Sequence, residues 1–342
     1  MGYTDAYSAL VSGTAEKLQF LLELQEDQRG CIRFDRWMRE ALYHEKFGYY
    51  TANIRDFGRR GDFTTWPAIS KSLGLAVGRW ILQNKSSDRA NVIEIGAGNG
   101  DLAASVIQAI GWWKQPRYHV VEISSRLQEV QRERLGSKAV WHASILEALE
   151  ACGGAAVIIS NEVVDAFPCR VFKKKGDGWR ELALRIEGKV VVEEWIAAAL
   201  PPSTVFSESW PVGQRVEVHE SFRLWVREWL PVWKSGSILT IDYGDTCPTL
   251  YRRRPRGTLR AYAHHQRLEG REVYGGFGLR DLTADVNFSD LQQEPVLLTR
   301  AFGTLTEFIS AAGGFSAKNR ASELLGAPGG AGEAFKFLVQ TR

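Results

Sequence analysis

Two spacings of hydrophobic residues alternate along the chain and divide it into predicted helices and strands. Residues 14–27 and 32–43 carry apolar side chains at the three- and four-residue intervals that are typical of amphipathic helices. From residue 92 onward, short apolar runs alternate with helical patterns, as a parallel sheet covered by helices requires. The core strands are predicted at 92–95, 118–122, 139–142, 155–160, 238–243 and 335–340, and its helices at 69–83, 101–110, 125–135, 145–151, 218–233 and 305–312.

Two segments depart from this alternation. Residues 171–196 alternate in polarity around two turn signals, at 176–178 and 187–189, and this pattern predicts an antiparallel β insertion at about 170–200. Residues 44–67 have no sustained period and are rich in glycine and aromatic residues, so we interpret them as a lid over a binding site. We expect residues 1–87 to form N-terminal helices and this lid, and residues 88–342 to form the core with its insertion.

A glycine-rich turn follows the strand at 92–95. Its pattern is E-x-G-x-G-x-G, with Glu94 before Gly96, Gly98 and Gly100. Glycines leave room for a ligand directly against the backbone, at the carboxyl end of a strand where open α/β sheets bind ligands. A dinucleotide fingerprint has the different spacing G-x-G-x-x-G. The pattern here resembles motif I of the class I S-adenosylmethionine (SAM) methyltransferases, although a glycine turn alone also occurs in simple strand–helix connections.

The next predicted strand, 118–122, supports this interpretation because it ends in an acid. A carboxylate at that position can accept hydrogen bonds from both hydroxyls of a ribose. Glu122 is therefore a candidate cofactor ligand, together with Glu94, Gly96 and Gly98 of the motif. The predicted fold is the Rossmann-like, doubly wound α/β sheet of class I SAM methyltransferases, with SAM as the cofactor.

Three polar residues, Asn161, Glu162 and Asp165, follow the fourth core strand. In the class I arrangement, residues at this place face the methyl group, and carboxylates there suit a guanidinium, which reacts poorly unless an acidic site holds it. Asn161 or Asp165 could instead cap a helix entering at 163. The topology also brings Asp62 and Asp242 toward the pocket, with turn formation and backbone capping as their alternative roles.

Composition excludes several classes of protein. Lys and Arg total 43 against 40 for Asp and Glu, so no overall charge favours nucleic acid or a membrane surface. The four cysteines lie far apart, and no stretch of 18 apolar residues occurs, which argues against a metal site, a disulfide framework and membrane insertion. Acidic residues occupy the N-terminal region in place of a basic leader. We expect a cytoplasmic protein of the bacterial type without a transit peptide.

Nine blocks taken together closely resemble the MidA family over residues 32–338. They are GYY (48–50), GDFTT (61–65), EIGAGNGDL (94–102), VEISSRLQEVQRERL (121–135), NEVVDAFP (161–168), IDYG (241–244), GTLRAYAHH (257–265), DLTADVNF (281–288) and FKFL (335–338). The segment before DLTADVNF departs from the family, because residues 275–280 lack the Pro-Gly that members often carry there.

The resemblance implies a function and a set of site residues. Mitochondrial members of the family are SAM-dependent protein arginine methyltransferases needed for assembly of respiratory complex I, so a protein substrate, such as a complex I subunit, is implied. Gly96, Gly98 and Glu122 are then cofactor ligands, with Gly61 and Asp62 beside the cofactor. The catalytic residues Asn161, Glu162 and Asp165 then line the acceptor pocket.

Two other functions fit the same residues. Methylation of a small-molecule amine or hydroxyl is one, and a hydroxyl acceptor would need a base such as His264 or His265. A SAM-binding assembly factor that holds a client without turnover is the other. The sequence does not indicate an oligomeric state.

Overall fold

The computed structural model of the chain describes residues 9–10, 15–28, 30–54, 71–84, 90–111, 116–188, 190–263, 266–313 and 330–342. The chain divides into two compact units, each built from separate segments. One comprises Met1–Ile54, Ala166–Ser221 and Cys247–Asp285, and the other Arg55–Asp165, Phe222–Thr246 and Val286–Arg342. The predicted functional division at residue 87 stays a prediction.

Among these residues, the strands in chain order are β1 (Ala9–Leu10), β2 (Ile32–Arg33), β3 (Asn91–Ile95), β4 (Arg117–Val121), β5 (Ala139–His142), β6 (Val157–Asn161), β7 (Arg170–Lys175), β8 (Gly178–Glu187), β9 (Val190–Ile196), β10 (Arg215–Val218), β11 (Ser237–Asp245), β12 (Arg260–Ala263), β13 (Gln266–Glu269), β14 (Asp281–Thr283), β15 (Val286–Asn287), β16 (Leu298–Thr304) and β17 (Phe335–Thr341). The α-helices are Ala15–Asp27, Phe34–Tyr43, Lys71–Asn84, Asp101–Ile110, Ser125–Leu135, Ile145–Ala151, Glu220–Trp229, Phe288–Gln292, Leu305–Ala311 and Ala331–Ala334.

The second unit contains the predicted doubly wound sheet. Its strand order is β16-β17-β11-β6-β3-β4-β5, with β15 beside β11. Strands β5, β4, β3, β6 and β11 run parallel, and β17 is antiparallel to β11. The chain moves outward from β3 to β5 and then returns to β6 on the other side of β3, so the topological switch point lies between β3 and β6. The predicted fold class is confirmed.

Close packing between two helices of this unit depends on small residues. Val92 and Ile93 of β3 are fully buried, and Val92 lies in the hydrophobic core of the unit. Gly74 and Gly78, in the helix Lys71–Asn84, face the helix Asp101–Ile110 so closely that a Cβ on Gly74 would lie 2.2 Å from the Cβ of Ser105. The two helices can therefore approach only because these positions lack side chains.

The first unit contains the predicted insertion. Strands β7, β8 and β9 form consecutive antiparallel pairs, closed by the pairs Lys175↔Gly178 and Glu187↔Val190, as the two turn signals predicted. Strands β1, β2 and β10 complete this six-stranded sheet, and β13, β12 and β14 form a separate three-stranded sheet.

Two elements of the core differ from the predicted ones. The helix predicted at 218–233 spans Glu220–Trp229, after the strand β10. Strand β16 was not predicted, because an edge strand with mostly exposed residues lacks an apolar run. Of the predicted lid, residues 44–54 are described and include the π-helical turn Tyr49–Asn53, while the rest lies outside the described residues. Within the described parts, no helix is both long and apolar enough to span a membrane.

Candidate functional site

The glycine turn after β3 adopts a backbone conformation that favours glycine. Gly96, Gly98 and Gly100 have φ values of 62°, 55° and 78°. The N–H of Gly96 donates to the carbonyl oxygen of Val121 at 2.9 Å, which ties the start of the turn to the end of β4. A Cβ on Gly98 would meet no described atom within 4 Å. As far as the described residues show, the turn therefore has open space above its centre, where a ligand can contact the backbone.

Glu122, directly after β4, is held by several hydrogen bonds. Its side chain is buried, with Oε1 accepting from the backbone N–H of Ser124 at 2.9 Å and Oε2 accepting from Nε2 of Gln131 at 3.0 Å. Burial raises the pKa of Glu122, while the bonds from Ser124 and Gln131 oppose the rise. Each carboxyl oxygen can accept a further hydrogen bond, as recognition of two ribose hydroxyls requires.

Glu94 is buried beneath the same turn. Its Oε2 accepts a hydrogen bond of 2.5 Å from the hydroxyl of Tyr118 on the neighbouring strand β4. Burial raises the pKa of Glu94 to about 7, the bond from Tyr118 opposes the rise, and the negative charge of Glu122 adds to it. Glu94 and Glu122 therefore place two interacting acids at the carboxyl ends of adjacent strands.

Asn161, Glu162 and Asp165 lie at the carboxyl end of β6, as predicted. The segment from Glu162 onward is a turn, so the prediction of a helix entering at 163 was wrong. Glu162 has a φ of 53°, a conformation that costs a non-glycine residue about 1 kcal/mol. Its N–H donates to the carbonyl oxygen of Ile241 at 2.9 Å. Strain of this kind is concentrated at functional sites, because surrounding structure must hold it in place.

Asp242, in β11, stabilises this turn. Its Oδ2 accepts hydrogen bonds from three consecutive backbone N–H groups, those of Val163 at 3.2 Å, Val164 at 2.9 Å and Asp165 at 3.3 Å. The side chain is fully buried. Capping of backbone N–H groups was one of the two roles predicted for Asp242, and the turn takes the place of the expected helix.

Asp242 lies close enough to two other acids for their charges to affect its pKa. Burial raises the pKa of Asp242 well above its ordinary value, and the charges of Asp165 and Glu162 raise it further. The backbone donors act in the opposite direction but do not cancel these effects. A cation placed among these carboxylates would therefore relieve their mutual repulsion.

The glycine turn at Gly96 to Gly100 contacts the turn at residues 162–165, here called the acidic turn. A Cβ on Gly96 would lie 3.0 Å from Cγ2 of Val163, so the two segments meet at the switch point between β3 and β6. The side-chain Oδ1 of Asn161, the last residue of β6, is buried and lacks a hydrogen-bond partner among the described residues. SAM presents an ammonium group and ribose hydroxyls, which are donors. The open space, Glu122 and this acceptor fit that cofactor.

Some predicted site residues lie outside the described residues, namely Gly61, Asp62, His264 and His265. Conversely, Gln131 was not predicted to take part in the site. It lies in the helix Ser125–Leu135, and the only sequence signal for it is its place on the helix that follows the acid-ended strand β4.

Comparison with known proteins agrees with this geometry. Residues 73–296 match a family model described as "Putative S-adenosyl-L-methionine-dependent methyltransferase". Among similar curated proteins, the mitochondrial protein arginine methyltransferase NDUFAF7 of Danio rerio is 28% identical over 303 residues, which are 77% of this chain and 68% of that protein. The Homo sapiens protein of the same name is 25% identical over 303 residues, 77% of this chain and 65% of that protein.

Similar solved structures include a protein bound to S-adenosyl-homocysteine. A COG1565 superfamily protein from Burkholderia thailandensis, bound to S-adenosyl-homocysteine, superimposes with a TM-score of 0.83 at 25% identity and covers 98% of this chain and 95% of that chain. A native crystal structure of a COG1565 superfamily protein from the same organism gives a TM-score of 0.79 at 26% identity, with the same coverage. The resemblance inferred from the sequence blocks is confirmed, as is SAM as the cofactor.

Proposed function

We propose that the methyl acceptor is an arginine side chain of a partner protein. The chain belongs to the family of S-adenosyl-L-methionine-dependent methyltransferases, whose model matches residues 73–296. The observation that carries the proposal is the contact between the acidic turn of Glu162 and Asp165 and the glycine turn at Gly96. An acidic surface beside a methyl donor suits an acceptor that arrives with a positive charge.

The residues after β3 and β4 are proposed to hold the cofactor. Gly96 and Gly98 expose their backbone to it, and Glu122 accepts hydrogen bonds from its ribose. Glu94 supports the turn from below through its bond to Tyr118. Asn161, whose Oδ1 lacks a partner among the residues described, is proposed to accept a donor of the cofactor or the acceptor.

The acidic turn is proposed to orient the guanidinium. Carboxylates of Glu162 and Asp165 can each accept N–H donors of the guanidinium, whose planar fork matches a carboxylate. These bonds localise the positive charge on the nitrogens that they hold and leave the remaining nitrogen free to approach the methyl group in line. Fixed carboxylates stabilise the charged acceptor without rearranging during the reaction.

The chemistry supplied by SAM is a methyl group on a sulfonium, which becomes a thioether as the nitrogen lone pair forms the new C–N bond. The attacking nitrogen loses one proton after alkylation, and a carboxylate of the acidic turn or water can accept it. The reaction therefore needs no strong base, in contrast to methylation of a hydroxyl.

Relatives named protein arginine methyltransferases support the proposal, at 25–28% identity. A respiratory complex I subunit as the specific acceptor follows only from the family resemblance and stays a prediction.

Mass spectrometry of a cell lysate treated with the enzyme and isotopically labelled SAM tests the proposal. We expect labelled arginine in a small set of proteins. Label on a metabolite would support the small-molecule alternative and overturn the arginine acceptor. Client binding that requires SAM but yields no labelled product would support an assembly factor without turnover.

Glu162→Gln sharpens the test, because it keeps the shape of the side chain and removes its charge. SAM affinity should stay within about twofold, while arginine methylation should fall at least tenfold, since the charged acceptor loses a carboxylate. Glu187→Gln, at an exposed hairpin, is the matched control and should match the wild type. Unchanged turnover in Glu162→Gln would remove Glu162 from the acceptor site.

A further inference from the structure

Gln131 connects the two elements that are proposed to hold the cofactor. Its side chain is fully buried, and Nε2 donates to the carbonyl oxygen of Gly98 at 2.8 Å and to Oε2 of Glu122 at 3.0 Å. We propose that Gln131 is a positioning residue for cofactor binding, because one amide group fixes the glycine turn and the ribose-binding carboxylate relative to each other. This inference rests on the cofactor site proposed above and does not depend on the identity of the acceptor.

The orientation of the amide follows from its three partners. The indole Nε1–H of Trp141 can only donate, and it lies 2.9 Å from Oε1 of Gln131. The NH₂ group must then face the carbonyl of Gly98 and the carboxylate of Glu122, which both accept. Trp141, in β5, thus fixes the direction in which the amide donates.

A glutamine suits this position better than a cationic residue. Because the amide is neutral, it holds Glu122 without forming an ion pair, and the carboxyl oxygens keep acceptor capacity for hydrogen bonds to a ligand. The N–H of Ser124 fixes the other carboxyl oxygen. Together these two donors define the plane of the carboxylate, and that plane determines where a pair of ribose hydroxyls can bind.

Two other residues of the same helix each contact only one of the two elements that Gln131 joins. Arg134 donates to the carbonyl oxygen of Asn99 at 2.9 Å and pairs with Asp101, so it anchors the glycine turn alone. Gln128 donates to the backbone carbonyl of Glu122 at 2.7 Å. Within the described part of the network, Gln131 is the residue whose side chain joins the turn to the carboxylate.

The test measures ligand binding by the full-length chain without an acceptor. Gln131→Met should weaken SAM binding in calorimetry about tenfold, because the buried carboxylate and carbonyl both lose their donor. It should also reduce the preference for adenosine over 2′-deoxyadenosine, measured as displacement of labelled S-adenosyl-homocysteine. Gln128→Met, the same substitution one turn earlier, should bind SAM within about twofold of the wild type.

Two further variants keep the proposal falsifiable. Trp141→Phe leaves Gln131 in place but removes the donor that orients its amide. SAM binding should weaken about threefold, a smaller loss than in Gln131→Met. If Gln131→Met fails to fold, this variant decides the question. Wild-type affinity and ribose preference in a folded Gln131→Met, or in Trp141→Phe in its place, would overturn the proposal. Unchanged affinity in Glu122→Ala would instead refute the proposed ribose site itself.

Discussion

The carboxylate of Asp242 accepts a hydrogen bond of 2.9 Å from the backbone N–H of Val164, across 78 residues of sequence. With its bonds to the two neighbouring N–H groups, this contact holds the acidic turn against the end of β11. The same carboxylate lies close enough to Asp165 and Glu162 for their charges to raise its pKa. One buried acid therefore shapes the proposed acceptor site and responds to the charges of Asp165 and Glu162 beside it.

Replacement of Asp242 tests this structural role. Asp242→Asn presents an amide NH₂ to backbone donors, so at least one buried N–H group loses its acceptor. We expect a loss of about 2 kcal/mol in the free energy of unfolding, measured by urea denaturation. Asp177→Asn, at an exposed hairpin turn, should change stability by less than about 0.5 kcal/mol. Equal stability of the two variants would contradict the role of Asp242.

The strained backbone of Glu162 predicts opposite effects on stability and function. Its φ of 53° suits glycine, so Glu162→Gly should raise the free energy of unfolding by up to about 1 kcal/mol. Methyl transfer to arginine should nevertheless fall at least tenfold, because the carboxylate is lost. Unfolding curves and methyl-transfer assays on one preparation measure stability and activity together. A Glu162→Gly variant that is less stable than the wild type would contradict backbone strain at this position.

Gly98→Ala separates backbone strain from ligand exclusion. Gly98 and Gly153 both have positive φ values, 55° and 63°, and a Cβ at either would meet no atom of the described residues within 4 Å. Alanine at each position should therefore cost about 1 kcal/mol in stability. Only Gly98→Ala should weaken SAM binding, by tenfold or more, since its methyl group would enter the space above the turn. Similar affinities of the two variants would indicate that no ligand contacts Gly98.

The buried His119, which lies beside the half-buried His142, predicts a dependence of stability on pH. Nδ1 of His119 lies 2.9 Å from Nε2 of His142, and burial lowers the pKa of His119 to about 4, with the charge of His142 adding to the effect. Below pH 6.5 the unfolded chain binds a proton at His119 that the folded chain does not bind. The stability contributed by neutral His119 is therefore present above pH 6.5 and is lost as the pH falls toward 4.

Comparison of the wild type with His119→Asn isolates the contribution of His119. Buried acids such as Glu94, whose raised pKa acts in the opposite direction, are present in both proteins. Between pH 7 and pH 5, the stability difference between wild type and variant should shift by about 2 kcal/mol in favour of the variant. Urea denaturation at both pH values measures it. A difference that stays constant with pH would contradict the lowered pKa.

By itself, the sequence determined the order of elements in the core, the glycine turn at Gly96 and Gly98, and the acid at Glu122. These features are local, since a strand pattern, a run of glycines and a terminal acid each occupy a few consecutive residues. The nine sequence blocks, taken together, indicated the family. The edge strand β16 escaped prediction because none of its residues is buried, so no periodic apolar pattern marks it.

Only the tertiary structure showed that Asp242 holds the turn of Glu162 and that Gln131 joins Gly98 to Glu122. Both contacts connect segments that are distant in sequence, and they depend on the register of parallel strands and on the place where a covering helix packs. Hydrophobic periodicity specifies which residues are buried, but it does not specify which buried polar groups meet. The partners of those groups are decided when the sheet assembles, because nearly all buried donors and acceptors then find one.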